Sequence, residues 1–291
     1  MRVTQLMVTR NFNQNLQRNN TAIDSLRQQI SSGVKYEKVS DNPMAAMKGL
    51  SHRSSMMQLE QYQNNAQDGI DWLTAVDDTL GNATNVLQRI YELTVKASND
   101  TNDELDRKSI AVEIRSLKEQ LGNIANTNFM GKYLFSGIDQ KQPYNNGKLD
   151  MGVQSGMSWE VGQGMSVSSN VNAQSVFGFQ VNGKNLFETL DQLSTTLEAN
   201  ENPNDLIGVI EKQMNNVLTQ RTVAGANQNL LELASNKIDQ ATSLQEKMLS
   251  KVEDTDYAKS YIELTAHETA LKASLSAGAR LMQPTLVDFL R

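Results

Sequence analysis

Few side chains in this 291-residue sequence could do chemistry. There are two histidines, His52 and His267, and no cysteine. Thiol nucleophiles, disulfides and thiolate metal sites are therefore excluded. His267-Glu268 begins like the helical zinc-protease motif, in which two histidines four residues apart hold the metal and the glutamate acts as base. The second histidine position is occupied by Leu271, so the motif is incomplete. Asp77-Asp78 and the Asp254/Asp256 pair read as solvated or capping carboxylates rather than an acid–base couple. No glycine-rich phosphate loop precedes a helix, and no nucleophile elbow is present. No catalytic residue, metal or cofactor is assigned, and the chain reads as a non-enzyme.

What the sequence offers instead is helical patterning at its two ends. Tyr257, Tyr261, Leu264, Leu271, Leu275, Met282 and Phe289 recur at alternating steps of four and three, with Gly278 and Thr285 in small positions and Glu268 as the interruption. Phe12, Leu16, Ile23, Leu26 and Ile30 follow the same spacing and stop at Gly33. Matching heptad seams predict a coiled coil between the N- and C-terminal helices. Each seam needs a helical partner, within the chain or in another subunit.

Composition agrees with helices. Aromatic residues are 5% of the chain and prolines number four, which suits long uninterrupted helices more than a compact enzyme core. The net charge of −6 is uneven: residues 1–40 carry six basic and two acidic groups, and the middle of the chain is acidic. The basic residues are spread singly with no aromatics between them, which argues against a nucleic-acid surface. No apolar run approaches the roughly 20 residues of a spanning helix. The N-terminus lacks the apolar core of a cleaved signal peptide.

Between the ends, Ser40-Asp41-Asn42-Pro43 predicts a helix start, with a capping side chain ahead of Pro at the first turn. Gly33, Ser40, Asp41, Asn42 and Pro43 together form a candidate joint. From Leu59 the seam runs through Tyr62, Ala66, Leu73, Val76, Leu80, Ala83, Leu87 and Ile90, predicting one helix of about fifty residues, roughly 75 Å long. A shorter helix follows with Ile110, Ile114, Leu117, Leu121 and Ile124 on one face. Residues 137–185 hold eight of the 17 glycines and few charges. They read as a small β-rich insertion, with Ser158–Val161 and Val176–Val181 as strands. A helix over Leu186–Leu197 and a long helix after Asn202-Pro203-Asn204-Asp205 complete the pattern. The expected fold is mainly α: an elongated helical rod with an N/C-terminal coiled coil and a small β-rich inserted module. The expected domains are 1–39 with 257–291 (coiled coil), 40–137 with 200–256 (rod) and 138–199 (outer module).

Several stretches resemble the flagellin family. They are Ile30-Ser31-Ser32-Gly33, Val39-Ser40-Asp41-Asn42-Pro43 with Ala45-Ala46, Asn65-Ala66-Gln67-Asp68-Gly69-Ile70, Ile124–Thr127 leading to Gly131–Leu134, and Glu268–Ala273. They cover residues 1–140 and 205–291; the middle carries no resemblance. Asp41-Asn42-Pro43, the stretch Gln58–Ala66 and the end Leu286–Arg291 depart from the filament-forming members and are more similar to members at the junction of hook and filament. A short filament-forming flagellin is the alternative. The resemblance implies a structural role in the bacterial flagellum, without enzymatic activity, nucleic acid or membrane contact. It implies a ring of identical subunits with flagellin on one side and another hook-associated protein on the other. It implies type III export to the cell exterior, and a cytosolic export chaperone bound through Leu264, Leu271 and Leu275.

Overall fold

The computed structural model describes residues 5–99, 103–137, 141–145, 147–149 and 156–281. Seven helices and three strand pairs make up the described chain. The helices are α1 (Gln5–Ser32), α2 (Pro43–Ala97), α3 (Glu104–Ala125), α4 (Ala173–Val176), α5 (Leu186–Glu198), α6 (Asn204–Glu253) and α7 (Tyr257–Leu281). The strands are β1 (Asn128–Phe129), β2 (Lys132–Tyr133), β3 (Tyr144–Asn145), β4 (Lys148–Leu149), β5 (Met157–Gly162) and β6 (Met165–Ser169), paired antiparallel in sequence order. The fold is mainly α with a small β component. Helix α2 has 55 residues and α6 has 50, about 80 and 75 Å at the standard rise. The chain divides into two compact units, one of residues 1–57 and 242–291, the other of residues 58–241.

The 58–241 unit holds the large hydrophobic core. Leu73, Val76, Leu80, Ala83, Leu87 and Ile90 of α2 are sealed from solvent, as are Ile114 and Leu121 of α3 and Ile210, Val217, Ala224 and Leu231 of α6. These are the seam positions the heptad spacing marks, because a helix facing two or more neighbours must present one continuous apolar stripe. Asp77, an expected solvated carboxylate, instead receives a two-pronged contact from Arg221 on α6: Nε donates to Oδ1 at 2.7 Å and Nη2 to Oδ2 at 3.0 Å. That geometry orients α6 along α2 as well as pairing charge.

The β elements lie on this helical frame. In the β5–β6 hairpin, Trp159 is buried over Gly69 of α2, where an added Cβ would come within 3.0 Å of the indole. Asn65 and Asn227 hold the hairpin's edges by donating to the carbonyls of Glu160 and Ser168. Val176–Val181, expected as a strand, is the end of α4 followed by a loop. The cause is Asn172, which forms a capping box with Ser175 and starts a helical turn there. Helix α5 begins the same way at Asn185 with Glu188, and it packs on α3 through Tyr144 and Phe187, whose rings stack at 4.3 Å.

Candidate assembly interface

The unit of residues 1–57 and 242–291 contains the predicted interface residues that lie within the described chain. Helices α1 and α7 pack side by side and antiparallel: Gly33 lies at Tyr257, Asn19 at His267 and Phe12 at Gly278. On α1 the inward row is Phe12, Leu16, Asn19, Ile23, Leu26 and Ile30, with Ile23 and Leu26 buried and the others half-buried. On α7 the inward row is Ser260, Leu264, His267, Leu271, Ser274 and Gly278.

This row differs from the apolar one marked in the sequence. Leu264 and Leu271 face α1. Tyr257, Tyr261 and Leu275 are 57%, 66% and 52% exposed, and Ile262 is 69% exposed. Met282 and Phe289 lie outside the described residues. Small and polar residues therefore make four of the six positions of the α7 row. The reason is steric. Phe12 projects so far from α1 that a Cβ at position 278 would lie 2.3 Å from its Cζ, so only glycine provides the hole for that knob. At the middle of the pair, Asn19 Nδ2 donates to the His267 carbonyl at 3.0 Å and His267 Nδ1 meets Asn19 Oδ1 at 2.5 Å. A paired polar contact inside an apolar seam fixes register, because a slipped helix would leave both groups unsatisfied. Glu268 sits on the flank, where Arg27 Nη2 donates to its Oε1 at 2.8 Å.

The joint that follows α1 is tied to the joint that precedes α7. Gly33, at φ +76°, ends α1 in the left-handed conformation that favours glycine. Val34 then bridges Asp254: the Lys35 N–H donates to Glu253 O at 2.7 Å and the Thr255 N–H to Gly33 O at 2.8 Å. Lys35 Nζ adds a bond to Lys251 O at 2.9 Å. Glu253 is buried and receives Arg53 Nη2 at 2.6 Å. Gly49 makes room for it, since a Cβ there would lie 2.2 Å from the carboxylate. Burial, and after it the Glu253 carboxylate, pushes the Tyr36 phenol above its ordinary pKa. Asn42 caps α2 by accepting from the Ala45 N–H at 3.1 Å, with Pro43 at the first helical position. Asp41 instead closes its own turn, accepting from the Lys38 N–H and the Ser40 hydroxyl.

His52, like His267, bonds an amide: its Nδ1 meets Gln245 Oε1 at 2.7 Å. No cluster of metal-ligating side chains occurs among the described residues. Sequence reasoning missed Asn19, Ser260, Ser274 and the Arg53–Glu253 pair. Their only signal was position, three or four residues from a seam leucine or across the joint.

Residues 3–140 match the bacterial flagellin N-terminal helical region, and residues 207–290 match the bacterial flagellin C-terminal helical region. The flagellin of Bacillus subtilis is 26% identical over 304 residues, covering 97% of each chain. The flagellar hook-associated protein 3 of Escherichia coli is 27% identical over 277 residues, covering 86% of this chain and 87% of that one. The crystal structure of hook-associated protein 3 from Legionella pneumophila shares the fold at TM-score 0.63 and 20% identity, over 69% of this chain and 98% of that one. With both helical regions matched and only residues 141–206 between them unmatched, the chain belongs to the flagellin family.

Proposed function

We propose that this protein is a structural subunit of the bacterial flagellum that forms the junction between hook and filament. The observation that carries the reading is that α7 is not used up by α1: one face packs on α1 while Tyr261 and Leu275 beside it, and Ile262 further round the helix, stay exposed. An apolar face of that kind on a paired terminal helix fits contact with neighbouring subunits. Residues Phe12, Leu16, Ile23, Leu26 and Ile30, with Leu264 and Leu271, would hold the pair together, and the exposed face would join pairs in a ring. Flagellin would bind on one side of that ring and another hook-associated protein on the other. Hook-associated protein 3 stands among the relatives at 27% identity, and a solved one shares the fold at TM-score 0.63. The joint Asp41-Asn42-Pro43 favours the junction over the filament.

The proposed route is type III export to the cell exterior, with a cytosolic chaperone covering Leu264, Leu271 and Leu275 beforehand. Gly33 and Ser40–Pro43 would bound the joint between the paired terminal helices and α2. Deleting the gene tests the function: cells should keep hooks and shed flagellin into the medium. Normal filaments on the mutant would overturn the junction role. Full-length flagellin relatives at similar identity keep a second reading, a filament subunit, and purified protein growing into long filaments on seeds would establish it.

A further inference from the structure

The connection between α1 and α2 is held differently along its length. Its start, Gly33–Lys35, is tied to Lys251–Thr255 by the bonds described above. Its end is fixed by the Asn42 cap. Between them, Glu37–Asp41 makes a turn closed on itself, with the Asp41 N–H donating to Lys38 O at 3.0 Å. One side-chain bond links this turn to α1: Gln28 Nε2 donates to the Glu37 carboxylate.

Two clefts flank the turn and share Val34, Tyr36 and Glu37. Toward α1 is a polar cleft of about 350 Å³, where Ser25, Gln28 and Gln29 meet Lys38 and Asp41. Toward α2 is a groove of about 630 Å³ with Ala46, Met47 and Leu50 in one wall and Tyr36, Arg53 and Glu253 at its far end, bordered by Glu37 of the turn. Met47 and Leu50 are 72% and 70% exposed. Val39, the one aliphatic side chain in the turn, stands on the rim of that groove and is 67% exposed. Three large apolar side chains along one side of the groove are left in water at a cost that burying them would recover. Of the polar side chains of the same turn, Ser40 and Asp41 bond within the turn and Glu37 bonds to α1.

We propose that Glu37–Asp41 is a two-position strap. In the position described here it is seated toward α1, held by Gln28 and Glu37. In the other, Val39 swings between Met47 and Leu50 and closes the groove. The exchange trades a charge-assisted hydrogen bond for apolar burial, two contributions of similar size. The pinned ends confine the motion to five residues. The open strap presents an apolar rim at the joint; the closed strap withdraws it. This holds whether the protein serves at the junction or in the filament.

The sequence has no cysteine, so Leu50→Cys places a single thiol in the groove. Alkylation of that thiol by a bulky maleimide, in the full-length protein, reports the strap. Gln28→Ala releases Glu37 and should slow labelling at least threefold. Adding Val39→Asp should restore the original rate, because a carboxylate will not enter the groove. Met47→Cys repeats both measurements from a second position in the same wall, and circular dichroism shows that each variant is folded. Labelling unchanged by Gln28→Ala at both positions overturns the strap. So does slowing that persists with Val39→Asp, since something other than Val39 would then cover the groove.

Discussion

At the residue scale, close approaches decide where a small side chain is required. Gly122 of α3 faces Tyr144, and an added Cβ would lie 2.3 Å from Cε1 and 2.5 Å from Cδ1. The ring has no room to retreat. It stacks on Phe187, and Asn126 fixes its backbone from both sides, accepting from the Tyr144 N–H and donating to its carbonyl, each at 2.8 Å. Gly122→Ala gains about 1 kcal/mol of helix propensity but overpacks a rigid site, which typically costs 1–3 kcal/mol. We expect a net loss of up to about 2 kcal/mol, read as a lower urea midpoint. The Tyr144 phenol offers a second test. Burial raises its pKa, against the opposing pull of the Lys118 ammonium. A raised native pKa means that the unfolded chain loses its proton first as pH climbs. The stabilisation is therefore complete below pH about 10, where an unfolded tyrosine titrates, and is lost as pH rises through the higher native value. Tyr144→Phe should flatten the fall of the urea midpoint above pH 10 and leave it nearly unchanged at pH 7, since the hydroxyl makes no hydrogen bond in the structure. An identical alkaline decline in the variant would show that Tyr144 does not carry it.

At the element scale, α2 and α7 show what a heptad pattern reveals and what it conceals. Between Leu73 and Ile90 the large apolar residues of α2 keep to one face, so Leu73, Val76, Leu80, Leu87 and Ile90 could be read directly as core and are buried. Helix α7 carries large apolar residues on more than one face. Spacing alone selected Tyr257, Tyr261 and Leu275, but the face toward α1 is chosen by shape: Gly278 accepts Phe12, and His267 pairs with Asn19. Those selections need the partner helix and were not legible beforehand. The joint was partly legible, with Pro43 and its cap evident; the Arg53–Glu253 pair joins residues 200 positions apart and left no local trace. The two faces of α7 separate experimentally. Leu271→Asp places a charge against α1 and should destabilise the α1–α7 pair by about 2 kcal/mol. Leu275→Asp, on the exposed face, should change monomer stability by less than about 0.5 kcal/mol yet block incorporation into flagella. Thermal unfolding gives the first comparison and recovery of each variant from purified flagella gives the second. Efficient incorporation of Leu275→Asp would remove that face from the assembly contact.

At the scale of the whole molecule, the two units are unequally built. The contiguous hydrophobic core, from Ala66 to Ile238, belongs to the 58–241 unit. Among the described residues, the other unit's buried large apolar side chains are Ile23 and Leu26. A helix pair with so small a core recovers little against the conformational entropy of ordering its residues, and isolated antiparallel helices of 28 and 25 residues are marginal in water without further packing. Exposed ion pairs such as Arg27–Glu268 add little. The α1 and α7 amides of the isolated protein should therefore exchange with solvent orders of magnitude faster than those of α2 within 66–97, each through its own local opening. Brief proteolysis should accordingly trim both ends and leave a resistant fragment close to residues 58–241. Incorporation into the flagellum should slow α1 and α7 exchange, because neighbouring subunits would supply the burial that the monomer lacks. Uniform protection across both units in the free protein would contradict this unequal build. Slow exchange of α7 before assembly would mean that the exposed Tyr257–Leu275 face needs no partner to hold the helix in place.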